Sequence, residues 1–204
     1  MNQTIGATQG TTSFGQHASS PWTWLALVVG LLALAGSLYL SLGMQLKPCP
    51  LCYYQRTFVM AVVGLLLIGL LTRSGRSSPL SLLALPAATA GLGVAIYHEY
   101  LESADKLECP AGVFDIGTAP QQSLVVLLAL FVILLLDVMR YRRAKVVARL
   151  SIILAVLFGV ALNVGAVLSV PPPSRPREPY KSSPDICRPP FHPQVTSPEE
   201  AGLG

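Results

Sequence analysis

Lys47-Pro48-Cys49-Pro50-Leu51-Cys52-Tyr53-Tyr54-Gln55-Arg56 runs without a break into Thr57-Phe58-Val59-Met60-Ala61-Val62-Val63-Gly64-Leu65-Leu66-Leu67-Ile68-Gly69-Leu70-Leu71. Two vicinal cysteines and an arginine thus stand at the mouth of an apolar helix. Pro50 suits the first helical position, where its missing N–H costs nothing, and this leaves Cys49 at the N-cap facing the free amides of the first turn. A Cys-x-x-Cys pair closes into a small reversible disulfide, and a thiolate is stabilised where a helix begins. Arg56 lies one turn beyond Cys52, and residues at i and i+4 share a face, so sulfur and guanidinium can face one bound molecule.

Of the 204 residues, 52% are hydrophobic and 12% charged, with a mean hydropathy of +0.57, which excludes an ordinary soluble domain. Apolar stretches able to cross a hydrocarbon core of about 30 Å run over Trp22 to Leu42, Tyr53 to Leu71, Pro79 to Tyr97, Ser123 to Met139 and Leu150 to Val170. The reading is an all-α membrane protein with five spans in a transmembrane domain over residues 21–170.

Arg73 and Arg76 lie between the second and third spans; Arg140, Arg142, Arg143, Lys145 and Arg149 lie between the fourth and fifth. By the positive-inside rule both loops are cytoplasmic. The other face then holds Lys47, the acidic residues Glu99, Glu102, Asp105, Glu108 and Asp115, and everything after Val170. The net charge of +4 is an orientation signal and no sign of nucleic-acid binding. Residues 1–20 lack Lys, Arg, Asp and Glu, hence the basic start of a secretory signal, and read as a disordered cytoplasmic extension. Trp22 and Trp24 are expected at the inner interface, Tyr97 and Tyr100 at the outer one. The tail over 171–204 opens with three consecutive prolines and reads as an extended, mobile outer-face segment.

Five spans turn four scattered cysteines into one constellation. Two spans separate Cys52 from Cys109 and two more separate Cys109 from Cys187, so all four share the outer face. An outer bacterial face is oxidising and lets disulfides persist. The spacing of Cys49 and Cys52 alone does not separate redox work from a structural disulfide or a metal clip. No second Cys-x-x-Cys or His-x-x-His completes a zinc site, and no metal is expected. Cys109 and Cys187 form either a structural bridge or an exposed, exchangeable one, which Pro110 and the tail favour. Arg56 either snorkels to head groups or holds an anionic or carbonyl ligand. His98, at the outer end of the third span, matches Cys52 and Arg56 in depth. His17 and His192 are expected to have no role. Asn163 is expected to make an interhelical hydrogen bond, Pro86 to kink its helix, and Gly91 and Gly93 to allow close helix approach.

The segment Cys49-Pro50-Leu51-Cys52-Tyr53-Tyr54-Gln55-Arg56 resembles the signature of the DsbB/BdbC disulfide-bond formation proteins, and Tyr97-His98 is similar to a weaker feature of that family. The resemblance covers residues 22 to 140. It implies a four-helix bundle of DsbB type, here with an additional fifth helix, in the bacterial inner (plasma) membrane with its redox cysteines on the periplasmic face. It also implies a relay in which a DsbA-like soluble thioredoxin-fold oxidant is reoxidised by the Cys109–Cys187 disulfide, first at Cys109. Electrons then pass to Cys49 and Cys52 and to a membrane quinone, ubiquinone or menaquinone. Cys52 is the sulfur nearest the ring, and Arg56 and His98 polarise the quinone oxygens. Family members usually have four helices with both cysteines of the second pair in the loop between helices 3 and 4. Here that loop holds only Cys109, and the partner comes from a tail that, at about 3.1 Å per residue, can reach it. Two other readings stay open: a quinone reductase of the vitamin K epoxide reductase type, whose Cys-x-x-Cys sits on a late helix, and a non-enzymatic membrane protein with structural disulfides or a metal site.

Overall fold

The computed structural model describes residues 20–72, 77–141, 146–171, 179–180 and 182–191, with side chains outside 77–79 and 141–148. The N-terminal extension before Ser20, Arg73, Arg76, Arg142, Arg143, Lys145, His17, His192 and the rest of the tail lie outside the described residues.

The chain is an all-α membrane protein. Among the described residues the helices are α1 (Pro21–Leu42), α2 (Pro50–Leu71), α3 (Ser77–Ser103), α4 (Ala119–Tyr141) and α5 (Val146–Leu168), with one 3₁₀ turn at Val113–Asp115. All five are long and apolar enough to cross a membrane. Prolines set two of the starts: Pro21 follows the Ser20 N-cap and Pro50 follows Cys49. The third and fourth helices exceed the apolar stretches at both ends, because helical hydrogen bonding continues into interfacial residues such as Glu99 and Glu102 that hydropathy alone leaves out.

α1 packs on α2, α2 on α3, α3 on α4 and α4 back on α1, closing a four-helix ring, while α5 lies against the outside of α3. Lipid is as apolar as leucine, so helices associate in a bilayer through close packing rather than water exclusion. α3 supplies the small residues for this, with Ala84, Ala87, Ala88, Ala90 and Ala95 all buried. Its face toward α5 is as tight: a Cβ on Gly159 would come 2.6 Å from the Pro86 carbonyl oxygen, and one on Gly93 would come 2.5 Å from Asn163 Nδ2. Asn163 therefore packs as expected but does not make the expected bond. Its buried Oδ1 has no partner among the described residues, because the surface it meets is glycine with no side-chain donor.

At the end of the bundle away from the cysteines, a buried carboxylate joins three elements. Asp137 of α4 accepts from Ser20 Oγ (2.7 Å), Thr23 Oγ1 (3.2 Å) and Ser81 Oγ of α3. Arg140 stacks over the Trp22 ring at 4.3 Å beside it. Asp137→Ala leaves three hydroxyls unpaired in a dry site, and we expect a loss of about 2 kcal/mol or more in stability. A thermal melt in detergent unchanged from the parent would refute this.

Candidate functional site

Cys49 caps α2 in extended conformation (φ −72°, ψ 165°), and its Sγ accepts from the Cys52 N–H at 3.3 Å. Both are free thiols, with their sulfurs 2.9 Å apart. The hydrogen bond with the Cys52 thiol, assisted by His98 and opposed by burial, lowers the Cys49 pKa to about 5. A sulfur at a helix N-terminus beside a histidine is the setting in which thiolates form readily.

His98, fully buried on α3, places Nε2 between the two cysteine pairs: 3.8 Å from Cys49 Sγ and 3.5 Å from Cys109 Sγ. Its Nδ1 meets the buried Gln55 amide of α2 at 3.4 Å. The depth expected for His98 is what the fold gives, but its ring faces sulfur and does not line the neighbouring cavity.

Cys109 and Cys187 are joined as a disulfide across 78 residues. Neither the loop nor the tail is as open as the sequence suggests, and Cys109 is buried. Residues 182–191 are strapped across the bundle mouth. Glu108 and Arg188 exchange both backbone hydrogen bonds (2.7 and 3.0 Å), and the Lys47 N–H donates to the Asp185 carbonyl (2.8 Å). Arg188 also stacks on Tyr180 at 3.7 Å and donates to the Ser182 carbonyl. Prolines leave backbone groups without local partners, and the loops before α2 and after α3 supply them. The end of α5 takes part as well, with Ala166, Val167 and Val170 packed around Cys49 and Ile186.

The Sγ atoms of Cys49, Cys52 and Cys187 and a ring nitrogen of His98 all lie within 4.8 Å of one another. The start of α2 and the tail thus bring three sulfurs, and α3 an imidazole, to one point.

Below it opens a cavity of about 720 Å³ bounded by α1, α2 and α4. Its walls are mostly aliphatic, and Cys52, Gln55, Arg56 and Cys187 supply polar groups at its edge. The Arg56 guanidinium turns toward α1. Its Nε donates to Ser37 Oγ (2.9 Å) and its Nη2 to the Ser37 carbonyl (2.9 Å) and Ser41 Oγ (2.7 Å). Two α1 serines therefore hold the guanidinium in place, while among the described residues no partner engages Nη1.

Gln55, Ser37 and Ser41 join the site although no sequence motif marks them. Gln55 had a weak signal, being a polar residue three positions after Cys52 and so on the same side of α2. The two serines, four residues apart on an otherwise apolar helix, mark a polar stripe that only its meeting with Arg56 explains.

The model of the disulfide bond formation protein DsbB matches residues 19–125, more than half of the chain. Disulfide bond formation protein B 2 of Burkholderia lata is 33% identical over 110 residues, covering 53% of this chain and 60% of that protein. Disulfide bond formation protein B of Xanthomonas campestris is 32% identical over 93 residues, 41% of this chain and 54% of that one. The probable disulfide formation protein C 2 of Bacillus anthracis is 28% identical over 141 residues, 63% of this chain and 95% of the relative. The chain thus spans little more than half the length of the first two. No solved structure matches it. The family match takes in the capping Cys49, Cys52, Arg56, His98 and Cys109 and stops before α5 and Cys187, and through that shared portion the chain belongs to the DsbB family of disulfide bond formation proteins.

Proposed function

We propose that this protein is a disulfide oxidoreductase of the bacterial inner membrane that reoxidises a soluble DsbA-like dithiol protein at the periplasmic face. The observation that carries the reading is the convergence of both cysteine pairs on His98 beside an apolar cavity. The partner's two thiols give two electrons and two protons to the Cys109–Cys187 disulfide, and the partner leaves oxidised. The two thiols so formed then reduce a Cys49–Cys52 disulfide, re-forming their own bond as the other opens.

The cavity suits a quinone: its aliphatic walls accept the ring and tail, and Arg56, with Nε and Nη2 already engaged, offers Nη1 to a carbonyl oxygen. A bound ubiquinone or menaquinone supplies the terminal two-electron acceptor that makes the relay oxidative. Cys52 is the free thiol facing that space, alongside the disulfide-bonded Cys187, and Gln55 beside it supplies a neutral polar group.

A second reading draws on the same convergence, since three sulfurs and an imidazole within 4.8 Å are a possible zinc or copper donor set. It requires Cys187 to leave its disulfide. One experiment separates the two. Purified full-length protein is challenged with a reduced thioredoxin-fold dithiol protein, and the state of all four cysteines is read with and without added quinone. We expect catalytic oxidation of the dithiol with quinone and, without it, arrest after the protein's own disulfides are used. Cysteine states indifferent to quinone, with tight zinc or copper binding, would refute the oxidoreductase reading.

A further inference from the structure

We propose that His98 is the acid–base residue of the exchange between the two cysteine pairs, taking the proton of the attacking Cys109 and facing the departing Cys49 thiolate as an imidazolium, and that Gln55 is the residue that positions its ring. The inference rests on the oxidoreductase reading and assigns a step within it.

The geometry is specific to that step. Nε2 of His98 has two sulfur neighbours, Cys109 at 3.5 Å and Cys49 at 3.8 Å, one from each pair. Cys187 is bonded to Cys109 and lies within 4.8 Å of Cys49. Cys187 is thus the sulfur able to bond to either neighbour, and the other two are the attacking and departing sulfurs as it changes hands. In the exchange the Cys109 thiol attacks Cys187 within a Cys49–Cys187 disulfide. The Cys109–Cys187 bond forms, the Cys49–Cys187 bond breaks, and Cys49 leaves with the electron pair. Nε2 takes the proton from the attacking Cys109, and the imidazolium so formed faces the departing Cys49 thiolate, so one thiol and one disulfide become one disulfide and one thiolate with the proton held on His98. The end state is the arrangement seen here, with Cys109–Cys187 bonded and Cys49 free.

A buried base needs its far nitrogen partnered in both protonation states. Gln55 meets Nδ1 at 3.4 Å and is itself buried. Its amide nitrogen donates to a bare Nδ1, and turned over, its oxygen accepts from Nδ1–H. With the oxygen toward the ring, Nδ1 carries the proton and Nε2 is free to accept one. The assignment also explains why His98 faces the sulfurs and not the cavity.

The test needs neither partner nor quinone. A full-length Cys52→Ser protein retains three cysteines and can hold either a Cys109–Cys187 or a Cys49–Cys187 disulfide. Protein held in acid, where exchange stops, is jumped to neutral pH and quenched at intervals, and the two isomers are counted by peptide mapping without reduction. Adding His98→Gln should slow relaxation about 100-fold or more while leaving the final isomer ratio close to that of the parent. Gln55→Leu should slow it about tenfold, the worth of one hydrogen bond, and Gln55→Glu, which keeps an acceptor for Nδ1–H, should restore the rate. Relaxation at the parent rate in His98→Gln would overturn the proposal. So would a changed ratio at an unchanged rate, which would make His98 a merely structural neighbour. Failure of Cys52→Ser itself to interconvert, with His98 in place, would instead remove the pair-to-pair relay on which the proposal rests.

Discussion

Cys187→Ser should abolish oxidation of a soluble thioredoxin-fold dithiol protein, lowering turnover by about 10³-fold or more, while reduction of added quinone by a small dithiol acting at Cys49 and Cys52 survives. The reason is the division of the cysteines into a half that meets the partner and a half that meets the cavity. With Cys187 replaced, Cys109 is a lone thiol with no disulfide for the partner's thiols to attack, so the partner should stay reduced on a non-reducing gel. The substitution is more informative than cutting the chain after Val170. The strap stays seated through the Glu108–Arg188 backbone pair and the Lys47–Asp185 contact, so a loss of activity reports the sulfur and not the collapse of the site. Removal of residues 171–204 should give the same loss of partner oxidation. Full oxidation of the partner by either variant would show that Cys109 works without Cys187.

Arg56→Ala should leave the protein folded and raise the quinone KM by roughly 10- to 100-fold, the worth of a hydrogen bond to a charged group. The guanidinium is held by Ser37 and Ser41 at 2.7 to 2.9 Å, so little ordering remains to be done when a carbonyl oxygen meets Nη1. Lysine has no planar fork with which to bond two serines at once, and Arg56→Lys should resemble the alanine variant. Ser37→Ala, which loosens the fork but keeps the charge, should raise KM by a smaller factor. Cys49→Ser and Cys52→Ser should abolish quinone reduction altogether, separating loss of the redox couple from loss of binding. Wild-type quinone kinetics in Arg56→Ala would remove Arg56 from the site.

Some of this was legible residue by residue. Apolar runs of about twenty residues can satisfy their backbone in lipid only as helices, so the five spans follow from composition along the chain. Pro50 commits Cys49 to the cap, and the helical period commits Cys52 and Arg56 to one face, because both effects act within one turn. Five spans also put the four cysteines at one end of the bundle whatever the packing.

What the sequence left open depends on which faces meet. Asp137 is a lone acid in an apolar run until α1 and α3 bring Ser20, Thr23 and Ser81 to it from more than fifty residues away. His98 could face quinone or sulfur at the same depth, and the rotation of α3 against α2, set by alanines and by Gln55, turns it to sulfur. Proline richness suggests a loose tail, yet the path of α5 along α3 delivers residues 182–191 to the loops that hold them. Local hydrogen bonding and hydropathy act over a few residues and are written in order along the chain. The rotation and neighbours of each helix come from contacts distant in sequence, and only the tertiary structure decides them.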